Sequence, residues 1–233
     1  MPLRRTEPDQ PGHWTEQPPG ESPVPRGRGG REHPQRGISR ARRGRRGDIL
    51  DAALTLFNST GYARTGVQDI AWEAKASVGS IYHHFGGKEE IAAALYVEGL
   101  RDYHRGLLRE LELRERESAQ VAVERLVVNH LRWVERNREL ARFLLTSRDP
   151  EVVGASDSEL AGMNARIFEA VGSWIERWVA AGAIRPMPLG LFHAVVLGPS
   201  QEFARHWVAG RMKVTIDEAE TVLAEAAWKA VEA

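Results

Sequence analysis

Residues 78–88, VGSIYHHFGGK, concentrate side chains suited to recognising a nucleic acid. At helical spacing, the outward face of this stretch carries hydroxyls, an imidazole and bare backbone, and it has no carboxylate. The residues of that face are Gly79, Ser80, Tyr82 and His83. Such groups form hydrogen bonds with phosphate oxygens and with the edges of bases. The chemistry that they predict is non-covalent recognition of DNA.

Two short helices are predicted to position these side chains. In the first helix, small and apolar residues share one face: Val67, Ile70, Ala71 and Ala74. Thr65 and Gln68 predict a capping box at its start, and Ser77 caps a second helix that runs to Phe85. Helices of about two turns are unstable alone. The pattern therefore predicts a helix-turn-helix motif supported by neighbouring helices.

This stretch resembles the DNA-binding domain of the tetracycline-repressor (TetR) family of transcriptional regulators. The matching residues are Thr65, Ile70, Ala71, Ala74, Ser77, Gly79, Ile81, Tyr82, His84, Phe85, Lys88 and Ile91. The resemblance covers residues 45–92, and the later helices match the family in number, length and order. It implies an all-α fold, with an N-terminal three-helix DNA-binding domain followed by a helical domain for ligand binding and dimerisation.

The turn between the two helices departs from the family pattern. The chain has Lys75 and Ala76 where the family usually has Gly-Val. A lysine in the left-handed backbone conformation costs about 1 kcal/mol that a glycine does not. The sequence leaves two geometries open: a left-handed Lys75, or a turn tightened without a left-handed residue.

The resemblance and the helical positions predict which residues contact DNA. Phosphate contacts are predicted for Thr65, Tyr82, His84 and Lys88, and base contacts for Gln68, Val78, Ser80 and His83. Arg45 and Arg46 follow the minor groove or contact phosphates, and Gly79 lets the backbone approach. His84 alternatively braces the helix as a core group. Lys88 is alternatively a solvated lysine, although a cation at a helix N-terminus is favoured only when an anion binds there.

The 233-residue chain has a formal net charge of zero, but its charges are unevenly distributed. Residues 1–47 hold 11 Arg and 5 acidic residues, which leaves the remainder acidic. Residues 1–40 are rich in Pro, Gly and Arg, so this arm is predicted to be disordered. A basic arm on an acidic body suggests an acidic polymer as partner. The alternatives are a tail without a role and an arm that binds RNA.

Composition and motifs exclude several classes of protein. The chain contains no cysteine, which excludes disulfides and thiolate zinc sites. No apolar run is long enough for a membrane span and no signal core is present, so a soluble cytoplasmic protein is expected. No phosphate-binding glycine motif or HExxH occurs. We therefore expect no catalytic residue, no cofactor and no metal. Glu202 and His206 lie one turn apart, but two ligands are too few for a metal site.

The body is predicted to consist of helices over 90–116, 118–137, 138–147, 156–181, 189–210 and 216–231, after a first helix over 45–60. The predicted domains are a disordered arm (1–40), a helix-turn-helix domain (41–92) and an effector-binding and dimerisation domain (93–233). By resemblance, the middle helices enclose an effector cavity. Its candidate lining residues are His104, Trp133, Phe143, Met163, Phe168, Trp174, Phe192 and His193. Each of them is alternatively an ordinary core residue.

The last two predicted helices are the candidate dimer surface, because small residues permit close approach and aromatic residues supply apolar area. These residues are Gly198, Ser200, Phe203, Ala204, Trp207 and Trp228. The sequence thus predicts a homodimeric transcriptional repressor that binds a palindromic DNA operator and that an unknown small molecule releases. The alternatives are a helical ligand-binding protein or enzyme with a structural N-terminal domain, and an RNA-binding protein.

Overall fold

The computed structural model describes residues 44–112, 117–146 and 157–233, and these ranges contain ten α-helices and no strand. The helices are α1 (Arg45–Ser59), α2 (Val67–Glu73), α3 (Val78–His84), α4 (Lys88–Glu110), α5 (Ala119–Arg136), α6 (Arg138–Thr146), α7 (Asp157–Ala180), α8 (Leu189–Val196), α9 (Gly198–Val208) and α10 (Ile216–Lys229). The all-α prediction is confirmed. The predicted arm over residues 1–40 lies outside the described residues. Among the described helices, none is both long and apolar enough to cross a bilayer.

Helix termini follow the capping residues in the sequence. Gly61 adopts a positive φ of 92° directly after α1, where a glycine carries no steric penalty. At the start of α10, the Glu218 amide donates to the Thr215 hydroxyl and the Glu218 carboxylate accepts from the Thr215 amide at 2.8 Å. This reciprocal pair is the capping box that the sequence predicts.

The single helix predicted over residues 189–210 is wrong, because the chain forms two helices there. They separate at Leu197, and Pro199 stands in the first turn of α9. Proline has no amide hydrogen to donate to the carbonyl four residues earlier, and its ring clashes with that carbonyl, so α8 cannot continue through Pro199. The proline therefore ends α8 and begins a new helix.

The core of the N-terminal helices combines residues of α1 to α4. Its fully buried aliphatic side chains are Ile49, Leu50, Ile70, Ile81, Ile91 and Leu95. Phe143 of α6 is also fully buried in this cluster, and its ring stacks on Phe57 with centroids 5.8 Å apart. The core of the predicted DNA-binding domain thus extends to a helix of the body.

The core of the body is formed mainly by α4, α5, α7, α8 and α10, around the buried rings of Trp174 and Phe192. A buried ion cluster ties α4 to α5. The Arg125 guanidinium, with a side chain 12% exposed, donates to Glu110 at 2.8 Å and to Glu117 at 2.9 Å. Its two carboxylate partners offset the cost of burying the charge.

Helix α4 belongs to both cores. Its first turns carry Ile91 and Leu95 in the N-terminal cluster, and its last turns carry Leu107 in the body cluster. Between them, α4 passes close to α6 at Gly99. A Cβ atom at Gly99 would lie 2.9 Å from Leu144 and 3.2 Å from Leu140. A methyl group at this position would therefore require the side chains of Leu140 and Leu144 to shift.

Candidate nucleic-acid interface and ligand cavity

The turn between α2 and α3 is a Schellman motif with lysine in the position that glycine usually occupies. Lys75 has a φ of 50°, the Lys75 amide donates to the Trp72 carbonyl, and the Ala76 amide donates to the Ala71 carbonyl at 2.9 Å. The Arg45 guanidinium of α1 donates to the Lys75 carbonyl at 3.2 Å. Of the two geometries left open by the sequence, the structure adopts the left-handed one.

Helix α3 is fixed by a cap and by two buried side chains. The Ser80 amide donates to the Ser77 hydroxyl at 3.0 Å, so the predicted N-cap is confirmed. Ile81 is fully buried and Phe85, directly after the helix, is 6% exposed. Both pack into the N-terminal core, so the face that bears neither of them is turned outward.

The outward face of α3 carries the residues that the sequence predicts for DNA recognition. Gly79, His83 and His84 are exposed, and the Tyr82 side chain is 56% exposed. Val78 and Ser80 are half-buried, and Gln68 on α2 is exposed. The His83 and His84 rings contact each other edge to face, with centroids 5.1 Å apart. His84 is therefore not the core brace considered as an alternative.

The predicted role of Thr65 is contradicted. Its side chain is 3% exposed, and its hydroxyl donates to the Gly61 carbonyl at 2.9 Å. The cap of α2 lies one residue later, where the Gly66 amide donates to the Asp69 carboxylate at 2.8 Å. Thr65 therefore stabilises the loop after α1 and presents no hydroxyl to a phosphate.

Two of the predicted phosphate-binding cations are held by the protein itself. The Arg46 guanidinium binds the Glu98 carboxylate of α4 at 2.5 Å and lies over the Phe85 ring. The Lys88 ammonium donates to the Tyr62 carbonyl at 3.2 Å and lies 4.3 Å from the centre of the Tyr62 ring. Lys88 is therefore half-buried and not a freely solvated lysine.

Trp72 is a candidate contact that sequence reasoning missed. It lies on α2 one turn after Gln68, and its side chain is 87% exposed. Its spacing from Gln68, which is predicted to contact bases, indicates this position, because residues four apart on a helix share a face. An indole of this exposure contributes little to the core and is free to contact a partner.

A cavity of about 170 Å³ lies in the body between α4, α5, α7 and α8. Among the predicted lining residues, His104, Phe168, Phe192 and His193 line it. Most of the remaining wall is aliphatic: Leu107, Leu126, Ile167, Val171, Leu189, Val196 and Leu197. Tyr103 and Asn164 add polar groups that the sequence reasoning did not select.

The prediction is wrong for the other four residues. Phe143 and Trp174 are fully buried in the two cores, and Met163 is half-buried outside the cavity. Trp133 is 7% exposed, and its indole donates to the Asp102 carboxylate at 2.9 Å. These aromatic residues pack the protein interior, as their size and apolarity alone would also predict.

The polar groups at the cavity are electrically neutral near pH 7. Burial lowers the pKa of His104 and of His193, and the hydrogen bond between His193 and Gln201 opposes the change only in part. Burial raises the pKa of Tyr103 well above its ordinary value. The ring of His130 contacts that of Tyr103. Burial is the main cause that lowers the pKa of His130 to about 4, and repulsion from His193 in its protonated form is the second. A hydrogen bond with the Ser200 backbone opposes this change.

The predicted dimer residues face the chain's own interior to different extents. Ser200 and Ala204 are fully buried, so their assignment to a dimer surface is wrong. Phe203, Trp207 and Trp228 are half-buried against the described cores, and Gly198 is half-buried at the break before α9. The described helices expose other large apolar side chains: Phe168 (50%), Leu191 (52%) and Val222 (66%).

No group of three or more metal-ligating side chains occurs in the part of the chain that the structure describes. Glu202 and His206 form a pair at 3.0 Å on α9, as their spacing predicts. The Glu202 carboxylate also forms an ion pair with the Arg205 guanidinium.

The chain is similar to known regulators, most strongly in its N-terminal domain. Residues 49–95 match the model of the bacterial regulatory proteins of the tetR family. The HTH-type transcriptional regulator HbdR of Aromatoleum sp. (strain CIB) is 40% identical over 68 residues, which are 29% of this chain and 30% of that protein. The HTH-type transcriptional repressor KstR2 of Rhodococcus jostii (strain RHA1) is 43% identical over 68 residues, 29% of this chain and 33% of that protein.

The chain thus spans about a third of the length of these curated relatives. The fold is matched over a longer range. A TetR-family structure from Shewanella sp. PV-4 has a TM-score of 0.65 at 23% identity, covering 82% of this chain and 100% of that one.

An all-α fold whose helix-turn-helix motif turns its second helix outward has the geometry with which helix-turn-helix proteins place a helix in a major groove. The chain's N-terminal domain is similar to that of the TetR family, and its fold is similar to that of a TetR-family structure. Both curated relatives are named as transcriptional regulators and not as enzymes.

Proposed function

We propose that the protein is a transcriptional repressor that binds a palindromic DNA operator as a homodimer and is released by a small molecule bound in the cavity. The observation that carries the proposal is the exposure of Gly79, Tyr82 and His83 on α3, while Ile81 and Phe85 anchor the helix. A helix presented in this way fits a major groove. The name of the KstR2 relative supports the repressor role.

Dimerisation follows from the geometry of DNA. One α3 contacts only a few base pairs, whereas two copies about 34 Å apart reach successive major grooves. We place the dimer surface on α7 and α8, where Phe168 and Leu191 are half exposed. Small exposed residues, Ala165 and Ala194, accompany them and permit close approach of a second copy.

Release requires that the effector favour a form of the dimer that does not fit the operator. Helix α4 is the route for this coupling, because its last turns line the cavity with Tyr103, His104 and Leu107. Its first turns pack in the N-terminal core. A tilt of α4 therefore changes the distance between the two recognition helices.

Selection of bound fragments from a random DNA pool tests the proposal. We expect a two-fold symmetric site with half-sites about one helical turn apart, and an affinity that falls steeply with salt concentration. Recovery of no preferred sequence, or affinity that does not change with salt, contradicts the proposal. The same pool prepared as RNA tests the alternative of an RNA-binding protein.

Substitutions on α3 and α2 test the individual contacts on the selected operator. Tyr82→Phe should weaken binding to all sequences alike and flatten the salt dependence, as expected for a phosphate contact. Gln68→Ala or His83→Ala should instead relax discrimination at one or two base pairs, by about 1–3 kcal/mol each. An unchanged site preference in both alanine variants rejects the base-reading role.

A further inference from the structure

The cavity combines an aliphatic wall with hydrogen-bonding groups that have no partner in the described part of the chain. The hydroxyl of Tyr103 and the Nδ1 atom of His104 are both buried without a hydrogen bond. Both residues line the cavity and are consecutive on α4. Buried polar atoms in native proteins are nearly always satisfied by protein, water or a ligand. Two unsatisfied atoms at the wall of one cavity therefore indicate where the polar group of a ligand binds.

The charge of the wall restricts the ligand further. No lysine, arginine, aspartate or glutamate lines this cavity in the part of the chain that the structure describes. An anionic group would lose its hydration there without gaining a cation, which is strongly unfavourable. The lowered pKa values of His104 and His193 keep both imidazoles neutral. A carboxylate or a phosphate is therefore a poor occupant.

The volume of the cavity also limits the size of the ligand. Its volume of about 170 Å³ is close to that of a cavity known to hold one benzene molecule, about 150 Å³. Drug-sized ligands occupy cavities of roughly 300–1,000 Å³. The volume fits one six-membered ring with a short substituent.

We propose that the cavity binds a neutral molecule with the size of a single ring that carries one hydroxyl or carbonyl group, and that Tyr103 and His104 hydrogen-bond this group. The Tyr103 hydroxyl donates to the ligand oxygen, while the aliphatic wall of Leu107, Leu126 and Val171 covers the ring. The proposal names the ligand class of the effector site, and in that respect it rests on the proposed function.

Calorimetric titration of the full chain with matched probes tests this ligand class. The probes share one ring and differ in the polar group: 4-methylphenol, 4-methylcyclohexanone, toluene and 4-methylbenzoate. We expect 4-methylphenol or 4-methylcyclohexanone to bind about tenfold more tightly than toluene, because one hydrogen bond contributes about that much. The benzoate should not bind. Equal affinity for toluene, or tighter binding of the benzoate, overturns the proposal.

A variant pair identifies the hydrogen-bonding residue. Tyr103→Phe keeps the ring and removes the hydroxyl, so affinity for the better polar probe should fall about tenfold while affinity for toluene stays unchanged. Equal losses for both probes indicate a packing role and contradict the assignment. Tyr96→Phe is the matched control, because it removes a hydroxyl from the same helix outside the cavity. If Tyr103→Phe does not fold, the wild-type probe series still decides the ligand class.

Binding of the selected operator, measured in the same samples, separates the two proposals. Operator binding without any probe binding overturns the ligand class and leaves the proposed regulator unaffected. Probe binding that leaves operator affinity unchanged supports the ligand class but overturns the assignment of the cavity as the effector site. Probe binding that lowers operator affinity supports both.

Discussion

Arg46 in the first turn of α1 and Glu98 in the middle of α4 form an ion pair with 2.5 Å between Nη1 and Oε1. Glu98 precedes the cavity residues Tyr103 and His104 by five and six positions on the same helix. The pair therefore joins the N-terminal domain to the helix that lines the cavity. The Arg46 side chain is half exposed, so the pair contributes at most about 1 kcal/mol to stability.

Substituting each partner of this ion pair in turn determines whether Arg46 contacts DNA or only stabilises the position of α4. Arg46→Ala should weaken operator binding and lower the magnitude of the salt slope by about 1, because one phosphate contact is lost. Glu98→Ala removes a competing carboxylate, so operator affinity should stay equal or rise. Fluorescence anisotropy at several salt concentrations measures both. Equal losses of operator affinity in the two variants would mean that Arg46 acts only through its ion pair with α4 and does not contact DNA.

Gly79→Ala separates folding from DNA binding. The nearest atom to an added Cβ is the Ser77 hydroxyl oxygen at 3.8 Å, an ordinary contact. The variant should be as stable as the wild type or more stable by up to about 1 kcal/mol, because alanine loses less conformational entropy in a helix. Operator affinity should nevertheless fall, because the methyl group obstructs approach of the backbone to DNA. Urea denaturation measures the stability, and a mobility shift assay measures the operator affinity. Unchanged operator affinity would mean that Gly79 has no role in DNA binding.

Lys75→Gly should stabilise the protein by about 1 kcal/mol, because a left-handed backbone costs lysine that amount and costs glycine none. Lys75→Ala is the control, since alanine carries the same penalty in this conformation. Denaturation midpoints at constant m-value measure the difference. Equal gains from both substitutions would mean that removal of the lysine charge, and not the backbone conformation, is responsible.

Leu191→Glu tests the proposed dimer surface. A carboxylate at the centre of an apolar helix interface is left without a partner, so the variant should be monomeric in light scattering after size exclusion. Val222→Glu on α10 makes the same change at another exposed position, with a side chain 66% exposed, and should leave the dimer intact. If only Val222→Glu dissociates the dimer, the interface lies on α10.

Protonation of His130 should make stability depend on pH. Its folded pKa of about 4 lies below the ordinary value of 6.5, so the unfolded chain binds more protons between these values. The contribution of His130 to the free energy of unfolding is therefore fully present above pH 6.5 and is lost as the pH falls towards 4. The loss between pH 7 and pH 5 is about 2 kcal/mol. His130→Leu should remove that part of the loss in urea denaturation. An unchanged pH dependence in the variant assigns the loss to other groups.

The local signals in the sequence predicted helix α3 well, because caps and helical periodicity act within a few residues. Ser77 as cap and Ile81 and Phe85 as anchors all follow from spacing alone. The error at Thr65 has a local cause. Both Thr65-Gln68 and Gly66-Asp69 satisfy the spacing of a cap, and burial of Thr65 against Gly61 decided between them.

The cavity and the dimer surface were harder to predict, because they depend on which helices are neighbours. Small residues such as Ser200 and Ala204 permit close packing equally within one chain and between two chains. Aromatic size likewise does not distinguish a core residue such as Trp174 from a cavity residue such as Phe168. The sequence does not single out Tyr103, because its hydroxyl becomes informative only when its buried surroundings are known.

The close contact with α6 at Gly99 lies between the two ends of α4. Eight residues separate Gly99 from Ile91 in the N-terminal core and five separate it from His104 at the cavity, which correspond to arms of about 12 Å and 8 Å at 1.5 Å per residue. A rocking helix held at this point moves its far end about one and a half times as far as its cavity end. A small displacement of α4 at the cavity would thus become a larger one at the N-terminal core.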